Sequence, residues 1–504
     1  MEPREVEGLL LGHLARRGLA CEDRCWAVRA SELGGRGLAA RRPIARGQLV
    51  YADRALLLGP RGRDGQPPMC AVCARERCPL VGCDGGCGLP VCSAACAEST
   101  DHQAECVFLR RLRPLCAPGW CPELLRALAA VRALFLCPAD RQLLGALQAH
   151  EAARHSREVD LLARSLAGGL DVEDERLMRR ACRAMDTNAF EAAAAAASDA
   201  GPGVVASTGL RALFPLGALT NHRCVPNTRH LLNGRGDLQV YAVAEIAEGQ
   251  EISMSYADLL WDTTLRRQFL RATKHFCCDC PRCSDPTEHG SLLAALRCAD
   301  GACAGLLLPD RPLSFDSPWT CGRCRLVISS KQIAAIRAGI ASAIAEMSGQ
   351  SPRKALKFLQ RQLAVLVPET NYVMMGMMFQ ILSLFGRVDG LTWKDLTDNE
   401  LDTKIDYCHK LIACLDSLNC GDCTKKGLVL YELYVANAEK LKRLGSCPES
   451  PTSGRQSQLS STLNEHNLTE ALIILKDDIV APSDYRQIYA SVNQSLKTTS
   501  ISKA

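Results

Sequence analysis

The chain has 504 residues, 47% of them hydrophobic and 23% charged, with a net charge of +5 and 28 cysteines. At about 100–200 residues per domain this is material for several domains, while the weak charge and the lack of a basic tract argue against strong non-specific nucleic-acid binding. Charged residues crowd the start, Leu9 to Leu11 is too short for a signal-peptide core, and no stretch approaches the roughly 18 apolar residues of a membrane span. A soluble chain in a reducing compartment is expected, in which closely paired cysteines read as metal ligands and not as disulfides.

In chain order, Trp26 to Ala30 reads as a strand, Gly34-Gly35-Arg36-Gly37 as a tight turn, and the residues after it as a second strand. Leu49-Val50-Tyr51 and Leu56-Leu57-Leu58 continue in β-type runs, and Arg61 to Pro68 has a linker's composition. Eight ligand-type residues then fall between positions 70 and 106: Cys70, Cys73, Cys83, Cys87, Cys92, Cys96, His102 and Cys106. Each neighbouring pair is close enough for one turn to aim both side chains at one ion. Tetrahedral Zn²⁺ takes four, so eight make two closed, structural sites with no open position for water. Cys78 is left over. Residues 120 to 190 carry apolar side chains at helical spacing, and Ala192 to Ala197 reads as a variable surface insertion.

Leu238 to Val243 alternates as a strand, and Glu251 to Tyr256 reads as another. Cys278, Cys280 and Cys283 offer three ligands on a tight turn. Cys298-x4-Cys303 and Cys321-x2-Cys324 read as a ribbon-like zinc site with Trp319 as an apolar cover, and Cys277 as a bystander. From residue 331 onward the pattern is helical: Ile333 to Met347, Pro352 to Leu366, Tyr372 to Phe385, Leu401 to Leu418, Gly427 to Arg443 and Thr469 to Asp478. Paired helices of this kind suggest a repeat-like superhelix. Cys420 and Cys423 between two of them read as an ordinary loop.

The interleaved ligand pairs resemble a MYND zinc finger. The Gly35-Arg36-Gly37 turn, the segment Asn221-His222-Arg223-Cys224-Val225-Pro226-Asn227 and the segment Gly249 to Tyr256 resemble the three motifs of a SET domain, in order. With the finger inserted between the first and second motifs, nearly all 504 residues resemble the SET and MYND domain-containing (SMYD) family, most closely its arthropod-specific branch that includes the msta protein. The resemblance implies an α+β multidomain fold. Its parts are the N-terminal part of a SET domain (1–66), a MYND finger (67–110), a helical insertion (111–185), the SET core (186–258), a post-SET and ribbon region (259–330) and a C-terminal helical, TPR-like superhelix (331–504).

It also implies roles. Cys70, Cys73, Cys92 and Cys96 would bind one ion, Cys83, Cys87, His102 and Cys106 a second, and Cys224 would complete Cys278, Cys280 and Cys283 for a third. With the ribbon, about four zinc ions are expected. Gly35, Arg36, Gly37, Asn188, Asn221, His222, Tyr256 and Phe276 would contact S-adenosylmethionine. Tyr256 would be the catalytic tyrosine, and Phe190 a wall of the lysine channel. The implied activity is protein-lysine N-methyltransfer to histone or other proteins, with a possible role in transcription. The alternative is a weakly active or inactive adaptor whose finger and helical region bind partner peptides. A monomer in cytoplasm and nucleus is expected, with no membrane and no direct nucleic-acid partner. Two residues depart from the family pattern. Lys274 stands where a channel-lining tyrosine is usual, and Arg223 replaces the usual serine after His222. A cation at the mouth of a lysine channel repels an incoming lysine unless it turns outward or is neutralised.

Overall fold

The computed structural model describes residues 1–19, 22–61, 67–76, 78–116, 119–151, 157–192, 209–445, 454–476, 478, 481–482 and 484–485. Most of the linker after Arg61 and of the alanine stretch after Ala192 lies outside these residues. Three small sheets pack round one apolar core. In the first, Trp26–Ala30 pairs antiparallel with Arg36–Ala40 across the glycine turn. Glu251–Met254 then lies antiparallel to Arg36–Ala40 and parallel to Asn221–His222. All three motif segments are therefore hydrogen-bonded neighbours in one sheet. Leu49–Asp53, Leu238–Ala242 and Thr228–Leu232 form the second sheet, and Leu57–Pro60, Leu210–Leu213 and Phe190–Ala192 the third. Alternation explains the core: Leu38, Val50, Leu238, Val240 and Ile252 point inward and are buried.

Among the described residues of 122–188 a 3-10 turn forms at Ala133–Phe135 and five α-helices at Pro122–Arg126, Leu128–Arg132, Pro138–Ala146, Arg157–Arg164 and Val172–Asn188. The last one delivers Asn188 and Phe190 to the sheet edge. A helix at Pro3–Arg16 was not expected from the charged start. Its Glu2/Glu5 capping box and the buried Val6, Leu10, His13 and Leu14 account for it. His13 is wedged between Asp140 (3.2 Å) and the Arg54 carbonyl (3.1 Å).

The C-terminal helices fall near their expected bounds, at Ser330–Met347, Tyr372–Leu384, Asp398–Ser417 and Thr424–Gly445. The stretch 352–366 is helical with a π turn at Leu359–Leu363. The last helix among the described residues runs over Gly454–Ile474, not Thr469 to Asp478. Its apolar signal is broken because Asn464 is buried and bonds across to Asn437 (3.3 Å) and the Tyr434 carbonyl (3.2 Å). The ribbon sheet, Leu296–Arg297 to Val327–Ile328, shares its core with these helices through Leu307 and Trp319. Asp422 ties the helical region to the first half of the chain, accepting from Arg46 Nη2 at 2.7 Å. Cys420 and Cys423 are buried beside it and belong to no candidate metal group among the described residues. No described helix is long and apolar enough to cross a membrane.

Candidate active site and metal centres

The chain brings sixteen Cys and His residues into four groups of four: Cys70/Cys73/Cys92/Cys96, Cys83/Cys87/His102/Cys106, Cys224/Cys278/Cys280/Cys283 and Cys298/Cys303/Cys321/Cys324. In each group the ligand atoms lie within 4.8 Å of one another. Sulfurs about 2.3 Å from a tetrahedral Zn²⁺ are about 3.8 Å apart. Separations of 3.5 Å (Cys73–Cys92), 3.7 Å (Cys92–Cys96), 3.8 Å (Cys83–Cys106), 3.8 Å (Cys224–Cys278) and 3.8 Å (Cys303–Cys321) match that tetrahedron. The donor sets fit four zinc ions. In the finger His102 turns Nε2 to Cys83 (3.3 Å) and Cys87 (3.6 Å). The longer Cys83–Cys87 loop closes because Gly85 and Gly86 fill it. A Cβ on Gly85 would lie 2.5 Å from Cys106 Sγ, and Gly86 takes φ +72°. Cys78 donates to the Arg75 carbonyl at 3.4 Å and belongs to no candidate metal group among the described residues.

The SET-like site is built on the strand ends. Asp53 accepts from the backbone of Leu216 (2.6 Å) and Gly217 (3.0 Å), which fixes the 3-10 turn that leads into Thr220 and Asn221. Burial pushes the Asp53 carboxyl up to about 7 against those bonds. Tyr256 is held at both ends: its hydroxyl donates to the Thr220 carbonyl at 2.8 Å, and its backbone N–H donates to His222 Nδ1 at 3.0 Å. Burial raises the Tyr256 pKa above its ordinary value, so the phenol stays protonated. Tyr51 backs the same turn, its hydroxyl 2.5 Å from Thr220 Oγ1.

His222 holds a single tautomer. Its Nδ1 accepts from an amide, and burial lowers its pKa to about 4, so the neutral ring carries its proton on Nε2. That N–H points at Cys224 Sγ, 3.3 Å away. Both ring nitrogens are thus committed inside the protein. Asn221 Nδ2 likewise donates to Glu251 Oε1 (2.8 Å) and the Arg36 carbonyl (3.2 Å), and Asn188 Nδ2 to the carbonyls of Gln148 (2.7 Å) and Ala184 (2.8 Å). Arg36 Nη1 donates to the Met1 carbonyl at 3.1 Å. The glycines divide the work. Gly34 and Gly35 take φ +103° and +67° to make the turn, whereas a Cβ on Gly37 would lie 2.4 Å from Glu251 Oε1 and 2.7 Å from Asn221 Nδ2.

Phe190 stands edge-on to Phe214 (5.8 Å) and His230 (5.3 Å), and Gly217 leaves room for its ring. Lys274 ends the helix Thr263–Thr273, and His275 at φ +63° turns the chain back. Phe276 then presents a half-exposed ring 5.9 Å from the His222 ring. Lys274 does not point to solvent. Its Nζ donates to the Thr187 carbonyl at 2.6 Å and lies 5.4 Å from the centre of the Tyr256 ring. Burial lowers its pKa to about 8, opposed by the nearby Asp186 charge. Tyr51, Asp53, Gly217, Thr220 and Glu251 are site residues that the sequence motifs do not assign. Thr220 and Glu251 hold the motif residues Tyr256 and Asn221, Gly217 leaves room for Phe190, and Tyr51 and Asp53 brace the turn between Leu216 and Thr220 from a distant strand; no local pattern marks such partners.

Interleaved strands carrying a tyrosine and an aspargine-histidine pair, with cysteine-rich zinc modules on either side, define a SET-type protein. Residues 35–257 match the SET domain model. The chain is 34% identical to the SET domain-containing protein SmydA-8, isoform B, of Drosophila melanogaster, over 85% of this chain and 95% of that protein. It is 30% identical to N-lysine methyltransferase SMYD2-B of Danio rerio over 51% of this chain and 59% of that one, and 27% identical to mouse histone-lysine N-methyltransferase SMYD3 over 51% and 61%. The chain belongs to the SET and MYND domain-containing family.

Proposed function

We propose that the protein is an S-adenosylmethionine-dependent protein-lysine N-methyltransferase. The observation that carries this reading is the two-ended clamp on Tyr256, beside the half-exposed ring of Phe276 and within the SET strands. Methyl transfer to an amine needs little covalent help. It needs alignment, a neutral amine and exclusion of water. A protonated, immobile Tyr256 supplies a fixed wall, and Phe276 offers an aromatic face for the adenine of the methyl donor. Because the Asn221, His222 and Asn188 side chains are bonded internally, these residues and Gly35 to Gly37 meet the cofactor through their backbone and through the shape they impose. S-adenosylmethionine supplies the electrophilic methyl group. Relatives named as lysine methyltransferases support a protein substrate bearing lysine, histones among the candidates, and the finger and helical region are the surfaces for partner peptides in cytoplasm or nucleus.

A second reading, an adaptor with little activity, is favoured by one observation: the Lys274 ammonium sits over the Tyr256 ring. Methyl release from labelled S-adenosylmethionine onto a protein panel separates the two. Transfer that is lost in Tyr256→Phe supports the enzyme. No transfer onto any panel member, from a protein that binds the cofactor, supports the adaptor.

A further inference from the structure

Behind the Cys224 cluster lies a charged network that the methyl-transfer reading does not use. Arg266 is 0% exposed. Its Nε donates to Cys224 Sγ at 3.2 Å and its Nη2 to Cys283 Sγ at 3.4 Å. The remaining donors go to Glu288 Oε2 (2.6 Å), the Trp261 carbonyl (2.5 Å) and Thr263 Oγ1 (2.9 Å). A guanidinium has five N–H groups, and all are placed. A divalent ion with four thiolates is net negative, and a buried cation donating to two of the sulfurs offsets that charge without competing for the metal. On its other side, Cys224 Sγ receives the Nε2–H of His222, whose Nδ1 holds the Tyr256 amide. One imidazole therefore joins the metal centre to the tyrosine.

We propose that the Cys224 metal centre positions Tyr256 through His222, with Arg266 as the buried cation that stabilises the cluster. Arg266 and His222 are positioning residues here. This deepens the reading of Tyr256 given above. A fold-support role for Arg266 alone would act through Glu288, which also accepts from the backbone of Thr263 at 2.8 Å.

The test uses the full zinc-loaded chain, without cofactor or substrate. Zinc release to a coloured chelator and hydrogen exchange of the Tyr256 amide are measured in wild type, Arg266→Met, Arg266→Lys, Glu288→Gln and His222→Gln. Loss of an outer contact to a metal ligand typically costs about 10- to 100-fold in metal affinity. Arg266→Met is expected to release one of the zinc ions at least about 10-fold faster, with Tyr256 amide exchange rising by a similar factor and the finger's exchange unchanged. Arg266→Lys should recover part of both effects, and Glu288→Gln, which breaks the buried ion pairs to Arg266 and Arg282 but leaves the sulfur contacts, should lower the melting temperature while zinc release stays near wild type. His222→Gln should speed Tyr256 exchange while zinc is kept. Wild-type zinc release in Arg266→Met, or equal loss in Glu288→Gln, overturns the role of Arg266. If Arg266→Met does not fold, His222→Gln decides: unchanged Tyr256 exchange overturns the bridge, and faster exchange upholds it. A chain that binds no S-adenosylmethionine would defeat the methyltransferase reading and leave these measurements standing.

Discussion

The Cys224 cluster and the ribbon cluster have the same four-sulfur donor set in opposite surroundings. In the ribbon, sulfurs receive backbone N–H groups from their own loops, Gly305 to Cys303 (3.3 Å) and Arg323 to Cys321 (3.4 Å), and Cys324 is exposed. In the other cluster Cys224 is buried and receives side chains from His222 and from Arg266, 42 residues away in sequence. The first site is a local knot that closes a loop. The second joins the SET strands to the segment that carries Lys274 and Phe276. Identical ligands can therefore have very different reach, and what surrounds them decides it.

The largest expected effect breaks that contrast directly. Cys224→Ala should remove one of about four zinc ions and leave Arg266 beside an incomplete cluster, a loss of at least about 3 kcal/mol by analogy with breaking a buried ion pair. Cys324→Ser should also lose one ion, yet cost S-adenosylmethionine binding little. Metal analysis, thermal unfolding and calorimetry with the cofactor check both. Equal loss of cofactor binding in the two variants would show the sites to be equivalent.

The two sites also differ in how legible they were. Ribbon and finger ligands stand in short-spaced pairs that spacing alone marks, while the interleaved sharing of the finger's pairs between two ions came through the resemblance and matches the groups in the fold. Cys224 has no such pair and came only through the resemblance of the Asn221 to Asn227 segment. Strands such as Trp26–Ala30 and Leu238–Ala242 announced themselves by alternation, as did most C-terminal helices by their period. The helix at Gly454–Ile474 was seen only at its end, since the residues that dock it include buried asparagines. Thr228–Leu232 shows no alternation in the sequence because the polar Thr228 and Arg229, on opposite faces of the strand, are both buried. The motif residues were visible, but not that their side chains would bond to one another. Glu251 and Asp53 look like ordinary carboxylates in the sequence, and only the fold brings them to Asn221 and Gly217.

Chemistry and scaffold should come apart at Tyr256. Tyr256→Phe removes the bond to the Thr220 carbonyl but leaves both clusters and the backbone bridge to His222 intact. Methyl transfer should fall by about 100-fold or more, as small misplacements at a reacting centre do, while zinc content and cofactor affinity stay within a few-fold. A loss of zinc in this variant would mean that the tyrosine supports the cluster and not the reverse. Gly37→Ala perturbs the same sheet from the other side. The new Cβ would strike Glu251 and Asn221, and relief of such overpacking costs about 1–3 kcal/mol. Cofactor affinity should weaken with the melting temperature, and the ribbon's exchange protection should not change.

Lys274 lies on the stretch between helix and cluster, so it tests whether that segment shapes substrate access. A fixed charge about 4 Å from an incoming ammonium costs about 4 kcal/mol at an effective dielectric near 20. Two features reduce this. The Nζ already donates to the Thr187 carbonyl, and its pKa of about 8 lets it lose the proton far more easily than an ordinary lysine. Below pH 8 it is charged and repels the substrate amine; above pH 8 it is neutral and the repulsion goes. A wild-type rate profile should therefore show an upward inflection near pH 8 in addition to the rise from the substrate amine itself. Lys274→Tyr should remove that inflection and raise transfer at pH 7 by about tenfold, well under the unscreened figure. Cofactor affinity should stay within a few-fold. The same lowered pKa has a stability sign: the unfolded lysine binds a proton that the folded one has lost between pH 8 and about 10.5, so wild type should gain stability with rising pH across that window relative to Lys274→Tyr. If the variant's rate equals or falls below wild type and the inflection persists, the ammonium does not obstruct the channel, and Lys274 serves to pin the Thr187 carbonyl and the end of the helix that carries Asn188.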